Sequence, residues 1–211
     1  MKTERTNQAR LIFDQKVQLR RRALLMLPGA VIMETHGGFG RIFGQAYQAA
    51  GPGVVFEADP TAAGALAEQR PTWAVYETKA ADRAIFEGAG AHLAVNFVDI
   101  DAGGDPWPYV EAFFGSQRPR PDRLAIVAGD LNRKKLRLNG ASIGSLREEV
   151  RKYGATGIYP KYLEVCREKL TERAARVGYE LKKWSGYYCG TAGSHTHYAA
   201  IFERKTNPDG L

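Results

Sequence analysis

Cysteine is scarce: the 211 residues contain two, Cys166 and Cys189. That is too few for a disulfide framework to hold a chain of this size, so a reducing compartment is the simpler setting. No apolar run reaches the roughly 18 residues that a membrane-spanning helix needs. The short apolar stretch at 23–28, set behind a basic start, does not have the make-up of a secretory signal. These absences lead to an expected cytoplasmic location with no membrane partner. Internal repeats and low-complexity tracts are also missing, which excludes solenoids and fibrous folds. What is present, 44% apolar and 25% charged residues, suffices for the core of one ordinary domain.

The net charge of +7 is unevenly placed. Residues 1–28 carry Lys2, Arg5, Arg10, Lys16, Arg20, Arg21 and Arg22 against Glu4 and Asp14. This segment reads as a basic helical arm, and such an arm suits a phosphate backbone. A solvated helix face that aids solubility would give the same pattern.

From residue 29 to 205 the chain reads as a single domain, followed by a tail at 206–211. Runs rich in Val, Ile, Phe and Tyr fall near 30–35, 53–58, 73–77, 93–100 and 122–128. Helical stretches at 40–50, 61–69, 80–88 and 107–115 separate them, the pattern of a parallel sheet with crossover helices. A long helix is expected over 160–177, with Pro160 in its first turn and Gly178 beyond its end. Two last strands, at 179–188 and 195–204, are joined by the glycine-bearing connection 190–193 and predict an antiparallel hairpin. The segment 129–159 is longer than a simple connection. It reads as an insertion with a helix at 142–153, on the side of the sheet where substrate sites form.

The candidate chemistry begins at Val31-Ile-Met-Glu-Thr-His-Gly-Gly-Phe-Gly40. A short apolar run ends in Glu34 and breaks into Gly37, Gly38 and Gly40, the order of strand, nucleotide-binding loop and helix. Glycine permits the backbone angles of such a loop and lets a ligand approach the main chain. Glu57 lies seventeen positions after Gly40 and ends the second strand. A carboxylate there can accept hydrogen bonds from both hydroxyls of a ribose. Asp59 competes for that task, but Pro60 after it favours a helix cap. Asp82 follows the third strand and could accept an adenine amine, with Glu77 as the competing acid and a helix cap as the ordinary alternative.

The fourth strand runs into Val95-Asn-Phe-Val-Asp-Ile-Asp-Ala-Gly-Gly-Asp-Pro-Trp-Pro-Tyr-Val110. Asp99 and Asp101 stand two apart and share a face if the strand stays extended. A loop of glycine, proline and aromatic residues follows. Over about residues 29–204 the chain resembles class I S-adenosylmethionine-dependent methyltransferases. Its fourth motif resembles that of tRNA guanine-N2 methyltransferases at Asp99, Asp101, Gly104, Pro106, Pro108 and Tyr109, with Ala102 in place of a proline and one extra residue. A second alignment sets Asp105-Pro106-Trp107 against the Asp-Pro-Pro-Tyr loop of amino-methylating DNA and RNA enzymes.

The resemblance implies an α/β fold: a seven-stranded, mostly parallel Rossmann-like sheet with a C-terminal antiparallel hairpin and helices on both faces. It implies S-adenosylmethionine as cofactor, held by Glu34, Gly37, Gly38, Gly40, Glu57, Asp82 and Asp99. It also implies methyl transfer to an exocyclic amine of a nucleic-acid base, RNA favoured over DNA, reached through the basic arm and the 129–159 segment. Asp99, Asp101, Asp105, Pro106 and Trp107 are the candidate catalytic residues, with Trp107 or Tyr109 able to stack on a flipped base. A small-molecule or protein acceptor is the competing reading. So is a non-catalytic subunit awaiting a partner, a reading kept open by Ala102. Cys189, His195 and His197 match no zinc spacing, so no metal is expected. Tyr179 and Lys183 match a dehydrogenase pair in spacing only, since they fall on an expected strand.

Overall fold

The computed structural model describes residues 2–130, 133, 136, 144–190 and 193–205. Helix α1 (Lys2–Leu24) leads into the short strand β1 (Ile32–Glu34), and a π-helical turn (Phe43–Tyr47) precedes β2 (Gly53–Glu57). Then come α2 (Pro60–Gln69), β3 (Ala74–Glu77), α3 (Ala81–Phe86), β4 (Phe97–Ile100), α4 (Trp107–Gly115) and β5 (Arg123–Asp130). The last described part contains α5 (Arg147–Tyr153), α6 (Ala155–Ile158), α7 (Tyr162–Arg176), β6 (Tyr179–Cys189) and β7 (His195–Arg204).

The seven strands lie in the order β3-β2-β1-β4-β5-β7-β6. The first five are parallel, whereas β7 pairs antiparallel with both β5 and β6. Period-two alternation sends Met33, Val54, Phe56, Val98, Ile100 and Ile126 to one face and Ile32, Val55, Phe97, Ala125 and Val127 to the other. Helices α3, α4, α5 and α7 cover the first face. Helix α1, the π-turn and α2 cover the second. Both faces of the parallel strands are therefore buried, which accounts for their near-continuous apolar sequence. Strand order reverses between β1 and β4, and such a switch point opens a crevice at the carboxyl ends of the strands.

Three local expectations are revised. The helix expected over 40–50 is a short π-turn, because Gly40 and Gly44 weaken a regular helix there. Pro160 precedes α7 instead of entering its first turn; Lys161 occupies the cap. The basic segment 1–28 is not a free arm: α1 buries Val17, Leu19, Arg20 and Ala23 against the sheet. Of the 129–159 segment, 129–130 close β5, and Leu146, Val150 and Ile158 join the core. Residues 131–132, 134–135 and 137–143, including the start of the expected 142–153 helix, lie outside the described residues, as do 191–192 and the tail at 206–211.

Candidate functional site

Sheet register sets the site. Glu34 pairs with Asp99 on one side and Val55 on the other, so two carboxylates lie side by side at the switch point. Both are about 2% exposed, and buried like charges need cations. Arg70, from the end of α2, ion-pairs with Glu34. The guanidinium lies 4.1 Å from the ring centre of Phe43 and 4.9 Å from that of Trp73. Burial pushes the Glu34 carboxyl up to about 7, against the pull of Arg70. Glu34, expected to hold the cofactor, is thus engaged within the protein.

Asp99 is engaged more completely. Arg20 of α1 donates to both oxygens, at 2.6 and 2.7 Å, and Tyr47 of the π-turn donates its hydroxyl at 2.6 Å. Arg20 is fully buried. Burial alone would lower its pKa; Asp99 outweighs that and holds it well above the ordinary value. Asp99 therefore anchors α1, and the catalytic and cofactor roles expected for it are not open to it in this arrangement. Asp101 is different. Lys16 donates to its two oxygens at 2.7 and 2.8 Å, but its side chain keeps 20% exposure. Burial would raise the Asp101 carboxyl; Arg20 and Lys16 outweigh it and hold it below the usual carboxylate range.

The glycine loop lies beside these groups. Gly37 donates to the Phe56 carbonyl at 3.0 Å, and a Cβ there would stand 2.5 Å from both Leu66 and Val55. That glycine serves close packing. Gly38 has φ +51° and no atom within 4 Å of where a Cβ would be, so its side is open to a ligand. Its N–H donates to Glu57 at 2.7 Å. The other Glu57 oxygen accepts from Ala58 and Asp59 N–H at 2.8 and 2.9 Å. Asp59 caps α2 through the N–H groups of Thr61 and Ala62. Glu57, and not Asp59, is therefore the strand-end carboxylate against the loop.

Sequence reasoning passed over His36. Its Nδ1 lies 2.8 Å from Thr35 Oγ1, and its Nε2 lies 3.1 Å from the Tyr109 hydroxyl. The two rings meet edge to face at 4.8 Å. Tyr109, on the first turn of α4, thus ties the fourth-strand loop to the glycine loop. Burial lowers the His36 pKa against the charges of Asp101, Glu57 and Asp99. A titratable side chain inside a glycine-rich loop was the available signal. Asp82 lies on the first turn of α3, where Ala80 takes the cap position, and its charge reaches Tyr109.

The Asp105-Pro106-Trp107 segment starts α4. Asp105 accepts from the Trp107 N–H at 3.1 Å and bonds Ser145, and Pro106 is buried at the cap. Trp107 is 1% exposed within the core. It presents no face to a base, which corrects the stacking role expected for it. A cavity of about 200 Å³ opens at the ends of β4 and β5, lined by Lys16, Asp101, Gly103, Gly129, Asp130, His195 and His197. Among the described residues no three His, Cys, Asp or Glu side chains are grouped to hold a metal ion.

No protein-family model matches the chain, and no curated protein matches it. Solved structures do. Trm1 from Pyrococcus horikoshii, in complex with S-adenosyl-L-methionine, is 12% identical with a TM-score of 0.63, over 92% of this chain and 55% of that one. The present chain thus spans little more than half of that protein. TYW2 from M. jannaschii, in complex with AdoMet, is 15% identical with a TM-score of 0.52, over 90% and 76% of the two chains. The N-methyltransferase NodS from Bradyrhizobium japonicum, in complex with S-adenosyl-L-homocysteine, is 11% identical with a TM-score of 0.56, over 92% and 87%. The shared architecture is the class I methyltransferase fold, a mostly parallel seven-stranded sheet ending in an antiparallel pair.

Proposed function

We propose that this chain is an S-adenosylmethionine-dependent methyltransferase acting on an exocyclic amine of a nucleic-acid base, RNA before DNA. The observation that carries the cofactor reading is Glu57: a carboxylate at the end of β2, set against the open Gly38 of the loop. Those residues fit the ribose and main-chain ends of the cofactor. Asp82 stands on α3 as the candidate for the adenine amine, while Glu34 is taken up by Arg70. Similar folds crystallised with this cofactor or its demethylated product support the same reading. When bound, S-adenosylmethionine supplies an electrophilic methyl group.

The chain's own contribution centres on Asp101. Held ionised by Lys16 and Arg20, it can accept a hydrogen bond from the acceptor amine. That bond orients the nitrogen lone pair and stabilises the positive charge the nitrogen gains as it forms its new bond to carbon. Asp101→Asn is expected to slow methyl transfer about 100–1,000-fold, the loss found on removing one preorganised polar group from a charged transition state. Cofactor affinity should stay unchanged. Equal rates for the two proteins would remove Asp101 from the reaction.

The choice of acceptor is supported by the fourth-motif resemblance and by the cations Arg10, Arg21 and Arg22 left exposed on α1. It is tested by incubating the protein with radiolabelled cofactor and RNA transcripts, DNA, peptides or metabolite pools, then digesting and separating the products. Label in a methylated nucleoside from RNA is the expected result, with RNA affinity falling steeply as salt is raised. Label confined to peptides or metabolites would overturn the nucleic-acid reading. A small-molecule acceptor is the second reading. Two observations favour it: the cavity is small, and Lys16 and Arg20 are consumed by internal ion pairs.

A further inference from the structure

Of the large apolar side chains exposed among the described residues, Leu11, Leu25, Phe39 and Phe86, it is Phe39 that stands on the glycine loop. The residue is 61% exposed, so its ring forfeits most of the burial that favours a phenyl group in a fold. Gly38 before it meets Glu57 through its N–H, and Gly40 after it turns at φ +75°. The ring is therefore carried at the rim of the proposed cofactor crevice, on backbone fixed to the strand-end carboxylate. Arg41 follows two positions on. Its guanidinium lies 4.5 Å from the ring centre of Phe13 on α1, and among the described residues no carboxylate pairs with it.

Helix α1 runs antiparallel to β4. Arg20 meets Asp99 and Lys16 meets Asp101, so four residues of helix, roughly 6 Å, climb beside two of strand, roughly 6.6 Å. Asp101 already lies beyond Ile100, the last residue of β4. The part of α1 from Lys2 to Phe13 consequently projects past the carboxyl edge, over a length of roughly 18 Å. Gln8 to Leu11 are exposed along it, whereas Val17, Leu19 and Arg20 beside the sheet are buried. Arg10 keeps 84% exposure, and its contact with Asp14 is a loose 4.0 Å. The opposite bank of the crevice is acidic, with Glu57, Asp59 and Asp82. A polyanion entering the crevice is thus repelled from the β2 and β3 side and drawn to the α1 side.

Resting on the nucleic-acid reading above, we propose that Phe39, Arg41 and the projecting half of α1 form a landing surface for single-stranded nucleic acid beside the acceptor. An unpaired base next to the acceptor stacks on the Phe39 ring, and the phosphates on either side of it lie against Arg41 and Arg10. Stacking asks only for a π-face, so the surface fixes the path of the strand without reading its sequence. A duplex is a poor fit, because its bases are already stacked on one another. The stacking role that burial denies to Trp107 thus falls to a residue that faces solvent.

The test uses the full chain saturated with S-adenosylhomocysteine and a single-stranded oligouridylate of about 12 nucleotides, within the span of known single-strand sites. One central position carries 2-aminopurine, whose fluorescence falls when the base stacks. The expected result is saturable binding with quenching, weakened about sevenfold between roughly 50 and 200 mM salt, as two phosphate contacts require. Phe39→Ala should lose the quenching and about five- to 100-fold in affinity while keeping the salt dependence. Phe39→Trp should keep both. Arg41→Gln should lower the salt slope by about half. The affinity of Phe39→Ala for S-adenosylhomocysteine should match the wild type; a parallel loss there would assign the ring to the cofactor and overturn the surface. Unchanged quenching and RNA affinity in Phe39→Ala overturns the surface alone. No binding of the oligomer by protein that does bind S-adenosylhomocysteine overturns the nucleic-acid reading on which it rests.

Discussion

Arg20→Met is expected to cost about 3–5 kcal/mol of folding stability, the usual penalty for stranding one partner of a buried ion pair. At about 2–4 °C per kcal/mol for a chain of this size, that is a fall in Tm of roughly 6–20 °C. The size of the effect follows from geometry. Arg20 closes two hydrogen bonds on Asp99 in a site about 2% exposed, and without it Asp99 keeps only the Tyr47 hydroxyl. A surface pair such as Arg83 with Glu87, both largely exposed, should cost no more than about 1 kcal/mol when broken. Pairing Arg20→Met with Asp99→Leu should recover more than half of the loss, since removing both charges leaves nothing unpaired but Tyr47. Chemical denaturation of the four proteins of that cycle measures the coupling. Simple additivity, with a small cost for Arg20→Met, would mean that α1 is not anchored as described.

Glu57→Ala is expected to weaken S-adenosylmethionine binding about 100- to 10,000-fold, since hydrogen bonds to a charged group contribute about 1.5–3 kcal/mol each and a ribose offers two. Stability should change little by comparison. Glu57 is bound by backbone N–H groups at the exposed rim, where water can replace the lost acceptor. Glu57→Gln separates shape from charge: it should fall between the wild type and Glu57→Ala. An effect on stability with none on affinity would make Glu57 a fastener of the loop and not a ligand.

The sheet was legible in the sequence because its signals are local. Apolar runs, glycine breaks and the two-residue period all act within a few positions, and they gave strand sites and the closing hairpin. Asp59 as a cap and Glu57 as the strand-end acid were legible for the same reason, Pro60 being the deciding neighbour. The ion pairs were not. Arg20 and Asp99 are 79 positions apart, and Lys16 and Asp101 are 85 apart, so nothing local joins them. One hint was available: Lys16 and Arg20 are spaced by four, as are Leu19 and Ala23, on the inner side of one helix. Reading the seven cations as a basic arm for a phosphate backbone, or as a solvated face, missed that stripe. Trp107 misled because an aromatic residue after a proline serves equally well as a stacking platform or as core. His197 could be weighed in the sequence only as a metal ligand; its place across from Gly129 is a relation that only the folded sheet creates.

The central claim is that the carboxyl edge of β1 and β2 holds S-adenosylmethionine. Isothermal titration of the intact chain with that cofactor tests it most directly. The account predicts saturable one-to-one binding that is lost or greatly weakened in Glu57→Ala. Absence of any binding heat at millimolar cofactor, together with no change in Tm on its addition, would contradict it.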